Sequence, residues 1–158
     1  MATDIELLEL FREELKLCKV STGQVLIVLS EGTTRADYAR AFLGAATLLG
    51  AEAFQINLPP RTKMGIAGEV GRTPLAGNRP AIEALKAADI VIDLVGLLFS
   101  HEQNEITANG TRMLFVHEPF DVLKKMFPTQ QLRQRVEYGE ALLGRAKTLR
   151  VTSPHGTD

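Results

Sequence analysis

Apolar and polar positions along this chain follow two periods, which predict helices and strands in alternation. Apolar side chains three and four residues apart indicate a first helix at Asp4–Leu17, opened by a Thr3-x-x-Glu6 capping box. Short, continuously apolar runs indicate buried strands instead. In chain order the remaining pattern predicts a strand at 24–29, a helix capped by Thr34, a strand at 53–58, a helix capped by Asn78, a strand at 89–95, a helix at His101–Ala108, a strand at 112–116, helices that begin at Pro119 and after Thr129, and a short strand at 149–152.

This alternation favours one α/β domain that covers residues 1–158. The strand–helix–strand unit at 24–58 implies parallel neighbouring strands. We therefore expect a Rossmann-like layered domain with a mostly parallel sheet of about five strands. A loop at 59–78 shows no periodicity, and its glycine spacing is not that of a dinucleotide-binding fingerprint. A lid or an oligomer arm is the simplest interpretation of so long a loop.

The stretch at 88–103 indicates where a ligand would bind. A β-branched apolar run predicts a central strand, and it passes through Gly96 into a Ser100-x-x-Gln103 capping pattern that begins a helix. A strand that runs directly into a capped helix places Leu97 to His101 at the carboxyl end of the sheet. Open α/β sheets bind their ligands at that edge.

Composition excludes several classes of protein. The chain has 158 residues, 45% of them hydrophobic and 23% charged, which is typical of a globular domain with a substantial core. Its formal net charge of -1 gives no basic surface for nucleic acid. No apolar run reaches the ~20 residues of a membrane span, and the amino terminus lacks the pattern of a signal peptide. We expect a cytoplasmic protein in which Cys18, the single cysteine, is a buried small hydrophobe.

Four residues at the predicted sheet edge, with one in the tail, are candidates for chemistry. His101 begins a helix, where the positive end of the helix dipole disfavours imidazolium, so a neutral imidazole could act as general base or hydrogen-bond partner. The alternative is an exposed helix-start histidine. His117 and the adjacent Glu118 are expected to be structural, Asp93 to accept hydrogen bonds, and His155 to be exposed in the tail. A site of two histidines and one carboxylate cannot be derived from residues on separate loops, and we expect no complete metal site within this chain.

The motifs of two hydrolase classes are absent from the sequence. There is no Gly-x-Ser-x-Gly nucleophile elbow, and His101-Glu102-Gln103-Asn104-Glu105 lacks the second histidine of a His-Glu-x-x-His zinc site. The residues alone support a ligand-binding α/β domain.

An ordered set of short segments resembles the amino-terminal part of the 2,5-dihydroxypyridine 5,6-dioxygenase family, which is related to aminopeptidase T-type metallopeptidases. The segments that carry the resemblance are Gly71-x-Thr73-x-Leu75-x-Gly77-Asn78, Ala84-Leu85-x-Ala87-Ala88-Asp89-Ile90-Val91-Ile92-Asp93, Leu97-Leu98-x-Ser100-x-Glu102-Gln103, Gly110-Thr111-Arg112, Glu118-Pro119, Met126-Phe127-Pro128-Thr129 and Gly156-Thr157-Asp158. They cover nearly the whole chain in order, and the set is more specific than any one segment.

The resemblance implies a non-haem Fe(II) enzyme that opens a dihydroxypyridine ring with O2 during nicotinate or nicotine degradation. Family chains are much longer, and their iron ligands lie in the carboxyl-terminal half. The resemblance therefore implies an amino-terminal domain without its own metal ligands, inactive alone, which needs a carboxyl-terminal domain and assembles as a homo-oligomer.

The resemblance also bears on the candidate site residues. The substrate would bind against Leu98, Phe99 and Ser100, and His101, the general-base candidate from its helix-start position, is the predicted catalytic residue. The family pattern reads Leu-Leu-His-Ser-Pro-Glu-Gln, with its histidine acting on the substrate. Here Phe99 stands at the place of that histidine and His101 at the place of the proline. A different substrate or a related activity is therefore plausible.

Two alternatives stay open beside the dioxygenase. One is a domain of an aminopeptidase T-like metallopeptidase. The other is a non-catalytic module for binding or oligomerisation, in which the loop at 59–78 embraces a neighbouring subunit.

Overall fold

The computed structural model of the protein describes residues 3–60 and 73–156. The helices are α1 (Asp4–Leu17), α2 (Ala36–Leu48), α3 (Arg79–Lys86), α4 (His101–Ala108), α5 (Phe120–Met126) and α6 (Gln130–Arg145). The strands are β1 (Val25–Glu31), β2 (Glu52–Leu58), β3 (Ile90–Asp93) and β4 (Arg112–Phe115). Residues 61–72, most of the predicted loop at 59–78, lie outside the described part of the chain.

The sheet is parallel throughout, with the strand order β2-β1-β3-β4. From β1 the chain moves outward to β2, and it then returns to the other side of β1 to form β3 and β4. The strand order therefore reverses between β1 and β3, whose carboxyl ends lie side by side because Leu29 is in register with Asp93. Such a reversal leaves a crevice outside the strand ends, where ligands of open α/β sheets bind.

Helices cover both faces of the sheet. Leu26 and Val28 of β1 belong to a core formed with α1 and α2, whereas Ile27 and Leu29 point into a second core formed with α3 and α4. Alternate residues of a strand face opposite sides, so a strand that is buried on both faces must be apolar at every position. This is why β1 and β3 have the continuous apolar runs from which they were predicted.

Four predicted helix caps are confirmed and one is wrong. The side chains of Thr3, Asn78, Ser100 and Thr129 accept hydrogen bonds from backbone N–H groups of the helices they precede. Before α2, however, the N-cap is Arg35 and not Thr34, and it is left-handed, with a φ of 56° and no side-chain cap. The Arg35 guanidinium instead donates to the carbonyls of His117 and Glu118, far away in the sequence.

The predicted fifth strand at 149–152 is wrong. The described residues form four strands, and 149–152 have no regular structure. The side chains of Leu149 and Val151 are 72% and 62% exposed. A four-residue β pattern becomes a strand only when it pairs and buries one face, and these side chains remain in solvent.

Residues Met1–Lys125 and Met126–Asp158 form two compact units. The first contains the sheet and both cores. In the second, α6 begins at its Thr129 cap and has no buried residue. Within the described residues no helix is long and apolar enough to span a membrane. Cys18, predicted to be buried, is half-buried at the carboxyl end of α1, and its carbonyl accepts a hydrogen bond from Arg112.

Candidate functional site

The carboxyl ends of β1 and β3 lie at the reversal of strand order and form the candidate site. The Leu94 N–H donates to the Leu29 carbonyl at 3.0 Å, which keeps the chain beside β1 for one residue past the end of β3. Beyond this point the backbone of 95–100 leaves the sheet and turns into α4. The stretch 94–100 is called the β3–α4 loop below.

Asp93 is fully buried and holds the start of this loop. Its carboxylate accepts hydrogen bonds from the backbone N–H groups of Val95 (2.9 Å), Gly96 (3.0 Å) and Leu97 (2.6 Å). The expectation that Asp93 accepts hydrogen bonds is confirmed. A buried carboxylate is tolerated because these three donors replace the water it has lost. They also explain why β3 ends at Asp93 and not at the predicted Val95.

The tip of the loop presents apolar side chains to solvent. Leu97 is buried in the core with α3 and α4, but Leu98 is 47% and Phe99 is 88% exposed. Phe99 has a left-handed backbone, with a φ of 62°. That conformation is uncommon for any residue with a Cβ and exceptional for a bulky one. Such outliers cluster at functional sites.

The capping pattern at Ser100 is confirmed, with a different second hydrogen bond. The Ser100 hydroxyl accepts from the Gln103 N–H at 3.0 Å, as predicted. The Gln103 side chain does not reach back to the N-cap N–H. Its Oε1 accepts from the N–H of Phe99 at 2.5 Å, while the Ser100 N–H donates to the Leu97 carbonyl at 2.9 Å. Gln103 thus fixes the residue with the strained backbone.

The predicted site residues form one continuous segment. Leu98, Phe99 and Ser100 end the β3–α4 loop, and His101 is the first residue of α4 and is exposed. No contact with a ligand or a metal tests their predicted roles, which remain predictions. His155 is exposed, as expected.

The end of β4 adds an aromatic pair beside this loop. The rings of Phe115 and His117 stack with centroids 5.6 Å apart and planes 8° from parallel. A Cβ added at Gly96 would lie 4.0 Å from the Phe115 ring, so this ring borders the β3–α4 loop.

Side chains of Arg35 and Tyr38 hold the segment after β4 against α2 through hydrogen bonds to its backbone carbonyls. The Tyr38 hydroxyl donates to the Glu118 carbonyl at 3.0 Å, and burial raises the pKa of this phenol. Arg35 donates to the same carbonyl at 3.1 Å, and its guanidinium lies over the Tyr38 ring, 4.7 Å from the centroid. These contacts use the backbone carbonyls of His117 and Glu118, and the structural role expected of their side chains stays a prediction.

A polar cluster at the ends of β1 and β2 was missed in the sequence. The buried Ser30 hydroxyl donates to Asn57 Oδ1 at 3.0 Å and accepts from Gln55 Nε2 at 2.6 Å. The Asn57 amide also donates to the Gly32 carbonyl at 3.1 Å. A signal was present, because Gln55 and Asn57 alternate with the apolar Phe54, Ile56 and Leu58, which places both amides on one face of β2.

The described residues do not provide a metal centre. Within 3–60 and 73–156 no group of three or more His, Cys, Asp or Glu side chains could hold a metal ion. The described part of the chain therefore does not fit as the ligand set of a resident iron. Its chemistry is that of a binding surface, where an exposed aromatic ring can stack on a planar ligand and amide groups can accept or donate hydrogen bonds.

Comparison with known proteins gives consistent matches over the whole chain. The family model for NicX, 2,5-dihydroxypyridine 5,6-dioxygenase, matches residues 6–158. The chain is 37% identical over 161 residues to 2,5-dihydroxypyridine 5,6-dioxygenase of Pseudomonas putida KT2440, a match that covers 99% of this chain and 46% of that protein. The solved structure of the dioxygenase from this organism superimposes with a TM-score of 0.85 at 37% identity, covering 100% of this chain and 47% of that one.

These matches confirm the predicted α/β fold, although the described sheet has four strands and not about five. They also confirm the resemblance seen in the sequence segments. The chain spans about half the length of the proteins it matches.

Proposed function

This chain belongs to the 2,5-dihydroxypyridine 5,6-dioxygenase family, and from that membership we propose that it forms the amino-terminal domain of a ring-cleaving dioxygenase and supplies part of its substrate pocket. The substrates are a small aromatic ring and O2. Fe(II) is held in this proposal by polypeptide outside this chain. The setting that we propose is nicotinate or nicotine degradation in the cytoplasm, by a homo-oligomer.

The observation that carries the proposal is the exposed Phe99 ring at the reversal of strand order. An aromatic side chain that is 88% exposed gains little from burial in this chain, and its left-handed backbone adds strain. A planar substrate stacked on Phe99 would account for both the exposure of the ring and the strained backbone, because stacked aromatic rings contribute binding free energy in addition to that of the area they bury. Leu98 and Ser100, on either side of Phe99, complete the proposed contact surface.

His101 is the residue that we propose for proton transfer. It follows Ser100 directly and begins α4, on the same exposed segment as Phe99. A general base must come within hydrogen-bond reach of the proton that it removes, and a hydroxyl on a ring held against Phe99 could lie within that reach. Since Phe99 replaces the histidine of the family pattern, we propose that His101 takes over proton transfer and that the preferred ring differs from that of the relatives.

The test of this proposal uses the complete gene product with 2,5-dihydroxypyridine. We expect O2 consumption, together with iron in the purified protein by elemental analysis. Hydrolysis of a leucine anilide without O2 consumption would instead favour the metallopeptidase alternative, which neither the family model nor the curated relative favours. A protein with neither activity and no affinity for the ring would refute the proposal.

Replacement of His101 tests its assigned role. His101→Ala should lower kcat by about 10²–10⁴-fold, the usual contribution of a positioned general base. His155→Ala is the matched control, since His155 is also exposed but lies in the second unit. Equal rates in both variants would make His101 a plain helix-start residue.

A further inference from the structure

We propose that Asp93 and Gln103 are positioning residues, which fix the β3–α4 loop so that Phe99 forms a preformed wall selective for planar aromatic substrates. This inference rests on the proposed function, and it assigns specificity to two residues that touch no substrate themselves.

The first argument is that two side chains accept most of the hydrogen bonds donated by the backbone of the loop. Six of its N–H groups have identified acceptors, and four of these six are bound by just two side chains. Asp93 accepts from Val95, Gly96 and Leu97, and Gln103 accepts from Phe99. The other two donate to the carbonyls of Leu29 and Leu97. Removal of either side chain would leave N–H groups that must find water.

The second argument is that the conformation of Phe99 needs an external restraint. A left-handed backbone is disfavoured by its Cβ. Its ring is too exposed for packing to offset that strain. The Phe99 N–H donates to the side-chain oxygen Oε1 of Gln103 at 2.5 Å, and this hydrogen bond holds Phe99 in place. Gln103 is itself anchored, because it lies in α4 and its own N–H is bound by Ser100.

The third argument concerns the chemistry of the neighbouring surface. Leu98 and Phe99 of the loop are exposed, and the loop is bordered at Gly96 by the ring of Phe115, on which the His117 ring stacks. Flat, largely apolar groups thus lie on and beside the loop. Such a surface favours a planar ring over a flexible or saturated molecule. This preference is strongest when the loop is already ordered, because binding then does not cost the entropy of ordering it. Asp93 and Gln103 supply that preorganisation.

The experiment compares three variants of the complete gene product. Gln103→Met keeps the length of the side chain and removes the acceptor, while Gln103→Glu retains an acceptor for the Phe99 N–H. Asn104→Ala is the matched control, because Asn104 is the next residue of α4 and its side chain is exposed. Asp93→Asn can fail to fold, so the test depends on Gln103.

Two measurements distinguish the order of the loop from its contribution to substrate binding. Hydrogen exchange by mass spectrometry should show the peptide with residues 94–100 exchanging about tenfold faster in Gln103→Met, at wild-type rate in Asn104→Ala and near it in Gln103→Glu. The KM for 2,5-dihydroxypyridine should rise roughly three- to tenfold in Gln103→Met, the range for one lost hydrogen bond. Its kcat should stay within about twofold, since the interaction positions a binding wall and not the reacting groups.

The outcomes identify which idea fails. Normal turnover with unchanged KM and unchanged exchange in Gln103→Met would overturn this inference and leave the proposed function intact. A fall in kcat at constant KM would also overturn it, because Gln103 would then act on the reacting atoms. If the unaltered protein neither binds nor consumes the ring, the proposed function and the selectivity of Phe99 fail together. In that case the exchange rates alone decide whether Gln103 fixes the loop.

Discussion

Replacement of Phe99 by glycine should not destabilise the protein, although a large aromatic side chain is lost. The left-handed backbone costs a residue with a Cβ roughly 1–2 kcal/mol, and glycine escapes this cost. Glycine loses about 0.5–1 kcal/mol more than alanine through its greater freedom in the unfolded chain. The lost ring contributes only a few tenths of a kcal/mol, because Phe99 is 88% exposed and a fully buried Phe contributes roughly 1.5–3 kcal/mol.

Comparison with alanine at the same position isolates the backbone effect. Phe99→Ala keeps the strained φ of 62° and should lie close to wild type. Phe99→Gly should exceed Phe99→Ala in its free energy of unfolding by about 0.5–1 kcal/mol, the difference between the two backbone effects. In urea titrations this difference moves the unfolding midpoint by roughly 0.3–0.5 M at unchanged slope.

Gly23→Ala calibrates the measurement in the opposite direction. Gly23 has a φ of 81°, and an added Cβ there meets nothing within 4 Å. Its replacement should therefore destabilise by about the same 0.5–1 kcal/mol, because the left-handed strain exceeds what alanine regains through its lower freedom in the unfolded chain. If Phe99→Gly were less stable than Phe99→Ala while Gly23→Ala behaved as expected, Phe99 would not be left-handed and the reasoning from its strain would be refuted.

Three further predictions concern stability. Burial raises the pKa of the Glu14 carboxyl, so its neutral form is favoured in the folded state. The stability that the neutral carboxyl contributes is present below the ordinary pKa and is lost as pH rises through the folded pKa. Glu14→Gln should therefore raise the Tm at pH 7 but not near pH ~3.5. Phe42→Ala should cost about 3–5 kcal/mol in denaturant unfolding, since Phe42 is fully buried with its ring stacked 3.9 Å from that of Phe11; a loss below 1 kcal/mol would contradict the assignment of this core. Asn78→Ala removes the cap of α3 and should cost about 0.5–2 kcal/mol, whereas Asn78→Ser should largely preserve stability.

The sequence predicted those parts of the fold that depend on neighbours along the chain. Ser100 caps α4 because its hydroxyl needs only the N–H three residues later. Arg35, in contrast, takes the N-cap position of α2 through bonds to carbonyls 82 and 83 residues away. No local pattern contains that information. The predicted strand at 149–152 is wrong for a related reason. Residues of high β propensity form a strand only where the rest of the fold pairs and buries them, and a short segment does not contain that information.

The candidate site divides in the same way between local and distant causes. Its position at 97–101 could be predicted, because a strand that runs into a capped helix leads to the sheet edge. The left-handed Phe99 could not, since nothing in Leu98-Phe99-Ser100 suggests a positive φ where glycine or asparagine is usual. The grouping of Ser30, Asn57 and Gln55 depends on the register of β1 with β2, which only the folded sheet defines.

A double-mutant cycle decides whether Gln103 acts through Phe99 alone. If Gln103 only restrains the backbone of Phe99, then Gln103→Met should raise the KM in the wild-type background and leave it unchanged within about twofold in the Phe99→Gly background, where the wall is already gone. The Leu98→Ala background is the control, because Leu98 lies on the same loop but donates nothing to Gln103, and there the full effect of Gln103→Met should persist. Additive effects of Gln103 and Phe99 would contradict the mechanism, because two residues that act as one unit cannot contribute independently.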